Sequence, residues 1–407
     1  VYRLCTEYLE PGMVLAKNLN GTDGSALFAA GQELTAEHIV AIQDMGVDEV
    51  FIRVPGNLPA PELLDSLAER HARRFYFYVD ADNPAMVALF NASVARTREA
   101  LGKGWTIPCA DELLAMNVEH LSDLFHKDTG LPQDIVDHEN ELASFPDVYF
   151  RIKEVLDSPT SSAGDVAKVV ESDVALSAKL LKLVNSPFYG LSSTVDSVAR
   201  AISLVGADEL SNLALGITAI NFFKDIPPEL MDMRTFWRHS LSCGIFARLL
   251  ASRIPGLSQD RFFTAGLLHD AGRLIVFKNL PYASVEAMLF ARNNMLPLVV
   301  AERRVMGYDH AEVAWVLLNS WKFPDSLTAA IAFHHAPSLS PQPRDAAVVQ
   351  LADNLAHAAA VSEGGTYVLP GQEQEDTALL DLDAGVLGKL MDIHDQSIAE
   401  LSSVFLH

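Results

Sequence analysis

The side chains with the types and order to bind metal lie in the second half of the chain. They are His239, His269 beside Asp270, His310, the adjacent pair His334 and His335, and Asp353. His269 and Asp270 close the apolar run AGLLHD. Both therefore sit at an otherwise buried level, where a charged aspartate needs a strong partner. A divalent cation is one such partner. Imidazole and carboxylate donors suit iron, manganese, zinc or nickel, and the lack of thiolates removes the argument for a soft-ligand site. Asp270 could bridge two ions. Each residue also has a plainer account. A lone helical histidine is usually a packed or surface imidazole. His334 and His335, adjacent on a helix, point about 100° apart, so both serve one cluster only if it lies between their directions. Asp353, in LADNLAHAA, reads equally well as a helix-surface acid. His357, one turn beyond Asp353, is left outside the candidate set. His38, His71, His120, His126, His138, His394 and His407 read as surface or packing residues.

The elements that must position these residues are helices. From about residue 115 the apolar residues recur with a period near 3.6, and strand-like alternation is rare. The pattern predicts helices over 116–127, 131–142, 146–156, 162–169, 173–184, 194–203, 207–221, 231–253, 258–275, 281–294, 297–305, 309–320, 324–334, 342–361 and 383–401. Pro146, Pro159, Pro187, Pro297, Pro324 and Pro337 fall at or beside the breaks. The fold class expected is mainly α, with an all-helical domain over 115–407 in two lobes and no central sheet within 160–360. Residues 364–380 read as a surface loop. Residues 1–56 read as a small α+β module: strands near 13–19, 25–29 and 50–54, a turn at Asp23-Gly24, and a helix opened by Thr35 and closed at Gly46. Residues 57–114 form a linker and helical connector. Its aromatic run RRFYFYV (73–79) suggests core packing over a base-stacking surface.

Composition narrows the function classes. The 407 residues are 49% apolar, enough for a large core, and carry a formal net charge of −23. A field of that sign repels nucleic acid and anionic membranes, so neither is expected as a partner. No apolar stretch reaches the length of a membrane span. Cys5, Cys109 and Cys243 are far apart and lack CxxC spacing, which argues against a disulfide framework or a cysteine zinc site. A soluble, reducing, cytoplasmic setting is the expectation.

The segments WRHS (237–240), LLHDAGR (267–273), DHAE (309–312), HH (334–335) and Asp353 resemble the metal-ligand series of the HD phosphohydrolase superfamily. Upstream, SDVALSAKLLKLVNSPFYG (172–190) and VARAISLVGADELSNLALG (198–216) resemble the helical lobe of HDOD domains, relatives of the HD and HD-GYP proteins. The resemblance spans about 130–360. Residues 9–52 are similar to modules that precede HD-GYP domains in bacterial signalling proteins. The resemblance implies that His239, His269 and Asp353 hold one ion and that His310, His334 and His335 hold another, with Asp270 shared. Iron or manganese is the favoured pair of ions, zinc or nickel the alternative. Departures are informative. Arg273 stands where HD-GYP proteins commonly carry lysine, and APSLSPQPRD (336–345) replaces the loop linked to cyclic di-GMP use.

The resemblance implies a bacterial signal-transduction or regulatory protein whose output is a contact with a protein partner. The alternative it implies is a metal-dependent phosphohydrolase acting on a phosphate mono- or diester, such as a nucleotide or another small phosphorylated ligand. In that case two ions about 3.5–4 Å apart would lower the pKa of a bridging water and so supply a hydroxide nucleophile. Asp270 and Arg273 would be the catalytic residues, Arg273 through its planar contact with phosphate.

Overall fold

The computed structural model describes residues 1–21, 25–54, 60–108, 122–125, 130–138, 147–158, 160, 162–186, 188–223, 226, 230–360, 368–371 and 374–406. The Asp23-Gly24 turn and most of the helix expected over 116–127 lie outside them.

The first fifty residues pair into two short antiparallel ladders. Strands β1 (Tyr2–Cys5) and β4 (Glu49–Ile52) run with Tyr2 opposite Ile52, and β2 (Leu19–Asn20) pairs with β3 (Ala26–Phe28). Helix α1 (Ala36–Asp44) packs on them, its N-terminus closed by a capping box between Thr35 and His38. Leu4, Leu15, Leu34, Ile42, Val50 and Ile52 make its small core. Cys5 is disulfide-bonded, whereas Cys243 is free and buried. This corrects the expectation of a chain without disulfides and removes cysteine usage as an argument for a reducing compartment.

The connector is a hairpin of two helices, α2 (Pro61–Phe75) and α3 (Pro84–Gly102). Each begins with proline at its first helical position, where the missing N–H costs no hydrogen bond. One end of the hairpin, through Leu64, Leu67, Ala68 and Leu101, completes the small N-terminal core. The other end, through Tyr76, Met86 and Leu89, enters the large helical core. Of the aromatic run at 73–79, only part is packed: Tyr76 is buried, while Phe77 and Tyr78 are 61% and 44% exposed.

The rest of the described chain is helical: α4 (Pro132–His138), α5 (Asp147–Asp157), α6 (Ala163–Glu171), α7 (Val174–Val184), α8 (Val198–Val205), α9 (Ala207–Phe222), α10 (Met233–Ala251), α11 (Gln259–Leu268), α12 (Ala271–Asn279), α13 (Pro281–Asn294), α14 (Leu298–Met306), α15 (His310–Ser320), α16 (Asp325–Ala332), α17 (Pro343–Ala359), α18 (Gln374–Ala378) and α19 (Gly385–Phe405). Among the described residues all paired strands precede residue 53, so the fold is mainly α with a small α+β module at the N-terminus. In the first lobe, the Asn185 side chain bonds both backbone groups of Val195, at 2.8 and 2.7 Å, and so closes the turn between α7 and α8.

Two further sequence expectations are corrected. The helix expected over 258–275 is two helices, because the backbone leaves helical geometry at Asp270 (φ −97°, ψ 8°). Apolar periodicity runs straight through this break, since both helices bury the same side. The 364–380 segment is not a plain surface loop either: Val368 and Leu369 are fully buried.

Small residues bring the site-bearing helices into near contact. A Cβ added at Gly266 would stand 2.6 Å from the Cys243 carbonyl oxygen, and one at Gly244 would stand 2.8 Å from that of Phe263, so α10 and α11 pack backbone to backbone. A Cβ at Gly272 would overlap the carbonyl oxygen of His310, so α12 lies directly on the start of α15. Gly272→Ala is therefore expected to destabilise the protein by about 2 kcal/mol or more, because rigid backbone must move. Gly388→Ala, exposed on α19 with no atom within 4 Å of the new methyl, is expected to stabilise it by up to about 1 kcal/mol. Chemical denaturation of both variants checks the contrast, and equal midpoints would contradict it.

Candidate metal centre

Five elements converge on one buried point. His239 comes from the middle of α10, and His269 and Asp270 from the break between α11 and α12. His310 is the first residue of α15, His334 and His335 lie in the turn after α16, and Asp353 lies on α17. The structure thus brings together every residue of the predicted set, and Arg273 with them. The turn after α16 also resolves the orientation problem of the histidine pair. Off the helix, the His334 and His335 rings pack 3.8 Å apart and face the same cluster.

The distances are short enough for shared coordination. His239 Nε2 lies 2.9 Å from Asp353 Oδ1, and His269 Nε2 lies 3.5 Å from the same oxygen and 3.6 Å from Asp270 Oδ2. His310 Nε2 is 3.2 Å from Asp270 Oδ1 and 3.0 Å from His335 Nε2. Arg273 Nη1 donates to Asp270 Oδ2 at 2.8 Å, so Arg273 fixes the aspartate as well as facing the cavity. Donor atoms of His310, His334 and His335 lie within 4.8 Å of one another, as do those of His239, His269 and Asp270, and of His269, His334 and Asp353.

The donor set fits a divalent cation. His269 Nδ1 donates to the Gly266 carbonyl at 2.7 Å, and His334 Nδ1 donates to that of Ile331 at 2.6 Å. In both rings this directs Nε2 inward, and both Nε2 atoms are buried without a hydrogen-bond partner. An imidazole held by Nδ1 with a bare, inward Nε2 is the arrangement a metal ligand needs. At His310 the outer partner is a carboxylate: Glu302 Oε2 accepts from Nδ1 at 2.6 Å and from the His310 backbone N–H at 3.1 Å. Gly307 makes this contact possible by ending α14 at φ 89°, so that the chain turns back within three residues.

Electrostatics point the same way. Burial alone would raise the Asp270 and Asp353 carboxyls; His269 and Arg273 beside the first, and His357 and His239 beside the second, hold both well below the usual range. Burial and the charge on neighbouring histidines push His334 down to about 4 and His357 to about 3, which leaves both as neutral imidazoles. Burial also opposes protonation of His310, but the Glu302 charge and hydrogen bonds to Asp270 and Glu302 raise it to about 10. The centre therefore gathers positive charge around its carboxylates, by protons when no cation is present.

Two functional candidates escaped the sequence reading. His357 stands one helical turn from Asp353, with Nε2 3.4 Å from Asp353 Oδ1; the i,i+4 spacing was the available signal. Glu302 gave none, since its approach to His310 depends on how α14 and α15 meet. A small cavity of about 20 Å³, room for about one water and partly open to solvent, reaches the cluster. Asp270, Arg273, His310, His335, Asp353 and His357 face it, and Val368 and Pro370 are part of its wall.

Two outcomes follow for cation uptake. Glu302→Ala should weaken it by about 10- to 100-fold through loss of the orienting carboxylate, read by competition with a chelator. An unchanged affinity would show that Glu302 does not orient the ligand. Uptake should also strengthen as pH rises from 6 to 9, because His310, raised to about 10, must lose its proton to solvent when the cation binds. Calorimetric titrations in buffers of different ionisation enthalpy would show the released proton, and affinity independent of pH would contradict it.

Comparison with known proteins places the fold. The chain is 26% identical over 209 residues to an uncharacterized protein of Treponema pallidum (strain Nichols), a match covering 51% of this chain. It spans only 40% of that curated relative's length. Its fold is similar to the crystal structures of a proposed phosphohydrolase from Shewanella amazonensis SB2B and of an HDOD domain protein with unknown function from Geobacter sulfurreducens. The first has a TM-score of 0.53 at 22% identity, covering 67% of this chain and 97% of that one. The second has a TM-score of 0.53 at 23% identity, covering 68% and 99%. The family model of the HDOD domain matches residues 142–337, a narrower span than the expected 130–360, so Asp353 and His357 fall beyond its end. Residues 142–337, just under half of the chain, thus form an HDOD domain.

Proposed function

We propose that this chain is a signalling protein in which a divalent-metal centre and the N-terminal module are coupled through the helical connector. The observation that carries this reading is the attachment of the cavity wall. Val368 and Pro370 line the cavity, and between them the Leu369 N–H donates to the Phe75 carbonyl at 2.7 Å, at the end of α2. Gly371 lies against Tyr78. The same hairpin of α2 and α3 shares both cores. A change at the metal centre thus has a physical path to the N-terminal surface, where a protein partner would read it. The net charge of −23 disfavours nucleic acid and anionic membrane as partners, and among the described residues no helix is long and apolar enough to cross a membrane.

In this reading His239, His269, Asp270 and Asp353 hold one ion, and Asp270, His310, His334 and His335 hold a second, iron or manganese being favoured over zinc or nickel. A second reading, metal-dependent hydrolysis of a small phosphate ester, is favoured by the cavity reaching Asp270, His310 and His335. When bound, the ions would supply Lewis acidity and an activated water. Arg273 would hold Asp270 in register beneath the substrate, and Val368 and Pro370 would exclude bulk water.

Native protein purified without a nickel column and analysed for metals tests the centre. Asp270→Ala is expected to lose both ions, and His310→Ala mainly one. Equal loss in the two variants, or full retention in Asp270→Ala, would count against the assignment. Turnover assays with iron- and manganese-loaded protein separate the two readings. Cyclic di-GMP is expected not to turn over near 1 s⁻¹, the lower range of ordinary enzymes. Inactivity across a broad phosphoester panel supports the signalling reading, and metal-dependent turnover of any member supports the hydrolase.

A further inference from the structure

The ligand series implied by the family resemblance stops at Asp353, but the structure continues it by one turn of α17. We infer that His357 is a metal ligand, completing a cation position with His239 and Asp353 on the α10–α17 side of the centre. The inference rests on the reading that this centre holds divalent cations.

The argument is one of converging donors. Three imidazole nitrogens point at a single carboxylate oxygen, Asp353 Oδ1: His239 Nε2 at 2.9 Å, His357 Nε2 at 3.4 Å and His269 Nε2 at 3.5 Å. A carboxylate oxygen has two lone-pair sites, so it cannot accept good hydrogen bonds from all three. Only the His239 contact has hydrogen-bond geometry, and His269 Nε2 is buried without a partner. The His239 and His357 rings lie 4.4 Å apart, and the donor atoms of His239, Asp353 and His357 all lie within 4.8 Å of one another. A cation among these atoms would satisfy every donor at once, which no arrangement of protons does.

The side chain is also held where it stands. Asp353 and His357 are i,i+4 on one face of α17, a helix whose buried face includes Leu351, Ala352, Leu355 and Ala356. Rotating His357 away would mean moving it off the cavity wall.

This ligand divides the centre into two unlike halves. On the α10–α17 side the protein supplies His239, His269, Asp353 and His357 together with the shared Asp270. On the other side it supplies His310, His334 and His335 with the same Asp270. His357 faces the cavity, where a water or a phosphate oxygen would otherwise complete the first ion's shell. It therefore leaves a six-coordinate ion there only one open position, whereas the ion at His310 and His335, with four protein donors, would keep two for an incoming anion.

The test uses full-length protein stripped of metal and reloaded with cobalt(II), whose visible spectrum reports ligand number and type. His357→Ala and His357→Gln are compared with the unmodified chain, with apo-protein thermal unfolding as the check on folding. The expected result is a loss of affinity of at least about tenfold for one of two cobalt ions, the scale typical of losing a group that orients or supplies a metal ligand. The cobalt spectrum should also change, and added imidazole should restore both affinity and spectrum in His357→Ala. Imidazole rescue separates a missing ligand from a merely loosened helix. An unmodified chain that binds cobalt, beside variants with unchanged affinity and spectrum, would overturn the role of His357 and leave the centre standing. An unmodified chain that binds no cobalt, iron or manganese would overturn the centre and His357 with it.

Discussion

Two carboxylates, Asp270 and Asp353, are buried at the meeting point of the helices, and the rest of the domain is arranged around their charge. Two such groups close together in a low-dielectric interior cannot remain ionised without compensation. Arg273 and the histidines provide it, and the ring nitrogens turned inward leave room for cations to provide more of it. Losing one partner of a buried pair of this kind typically costs about 3–5 kcal/mol, because the other charge is stranded. The centre is therefore both a chemical site and a condition on folding, and its neutral histidines, His334 and His357, fit ligation better than ion pairing.

Bringing these groups together requires helices closer than ordinary side chains allow. Gly244 and Gly266 permit α10 and α11 to touch, and Gly272 permits α12 to lie on the first turn of α15. Two residues before Gly272, the chain leaves helical geometry at Asp270, just after His269, so the two side chains are not held to the directions a continuous helix would impose. The bulky core around them, with Phe246, Phe262 and Phe263 fully buried, fixes that geometry against relaxation.

The connector is the second organising element. A hairpin that contributes side chains to two cores cannot move relative to one without disturbing the other, and its turn carries the backbone hydrogen bond to Leu369. Ion pairs from Arg70 to Glu10 and from Arg74 to Glu7 tie α2 to the N-terminal module, and Arg96 on α3 pairs with Asp395 on α19. Exposed pairs of this sort add little stability individually. Their position matters more, since they set the orientation of a rigid element between the module and the wall of the cavity.

Residue types and periodicity alone determined the helical fold class and the presence of a small mixed module at the start, because these follow from local patterning; the candidate donor set also drew on the resemblance of its motifs to the HD series. The same sequence concealed the break at Asp270, since an apolar face continues across it. Glu302 became a partner of His310 only through the turn at Gly307, and His357 became part of the centre only because α17 presents it beside His239. Val368 and Leu369 looked like loop residues and proved to be buried through contact with the distant connector. In each case the deciding contact joins segments that approach only when helices pack, and that packing energy is summed over the whole core, beyond the reach of any local window of sequence.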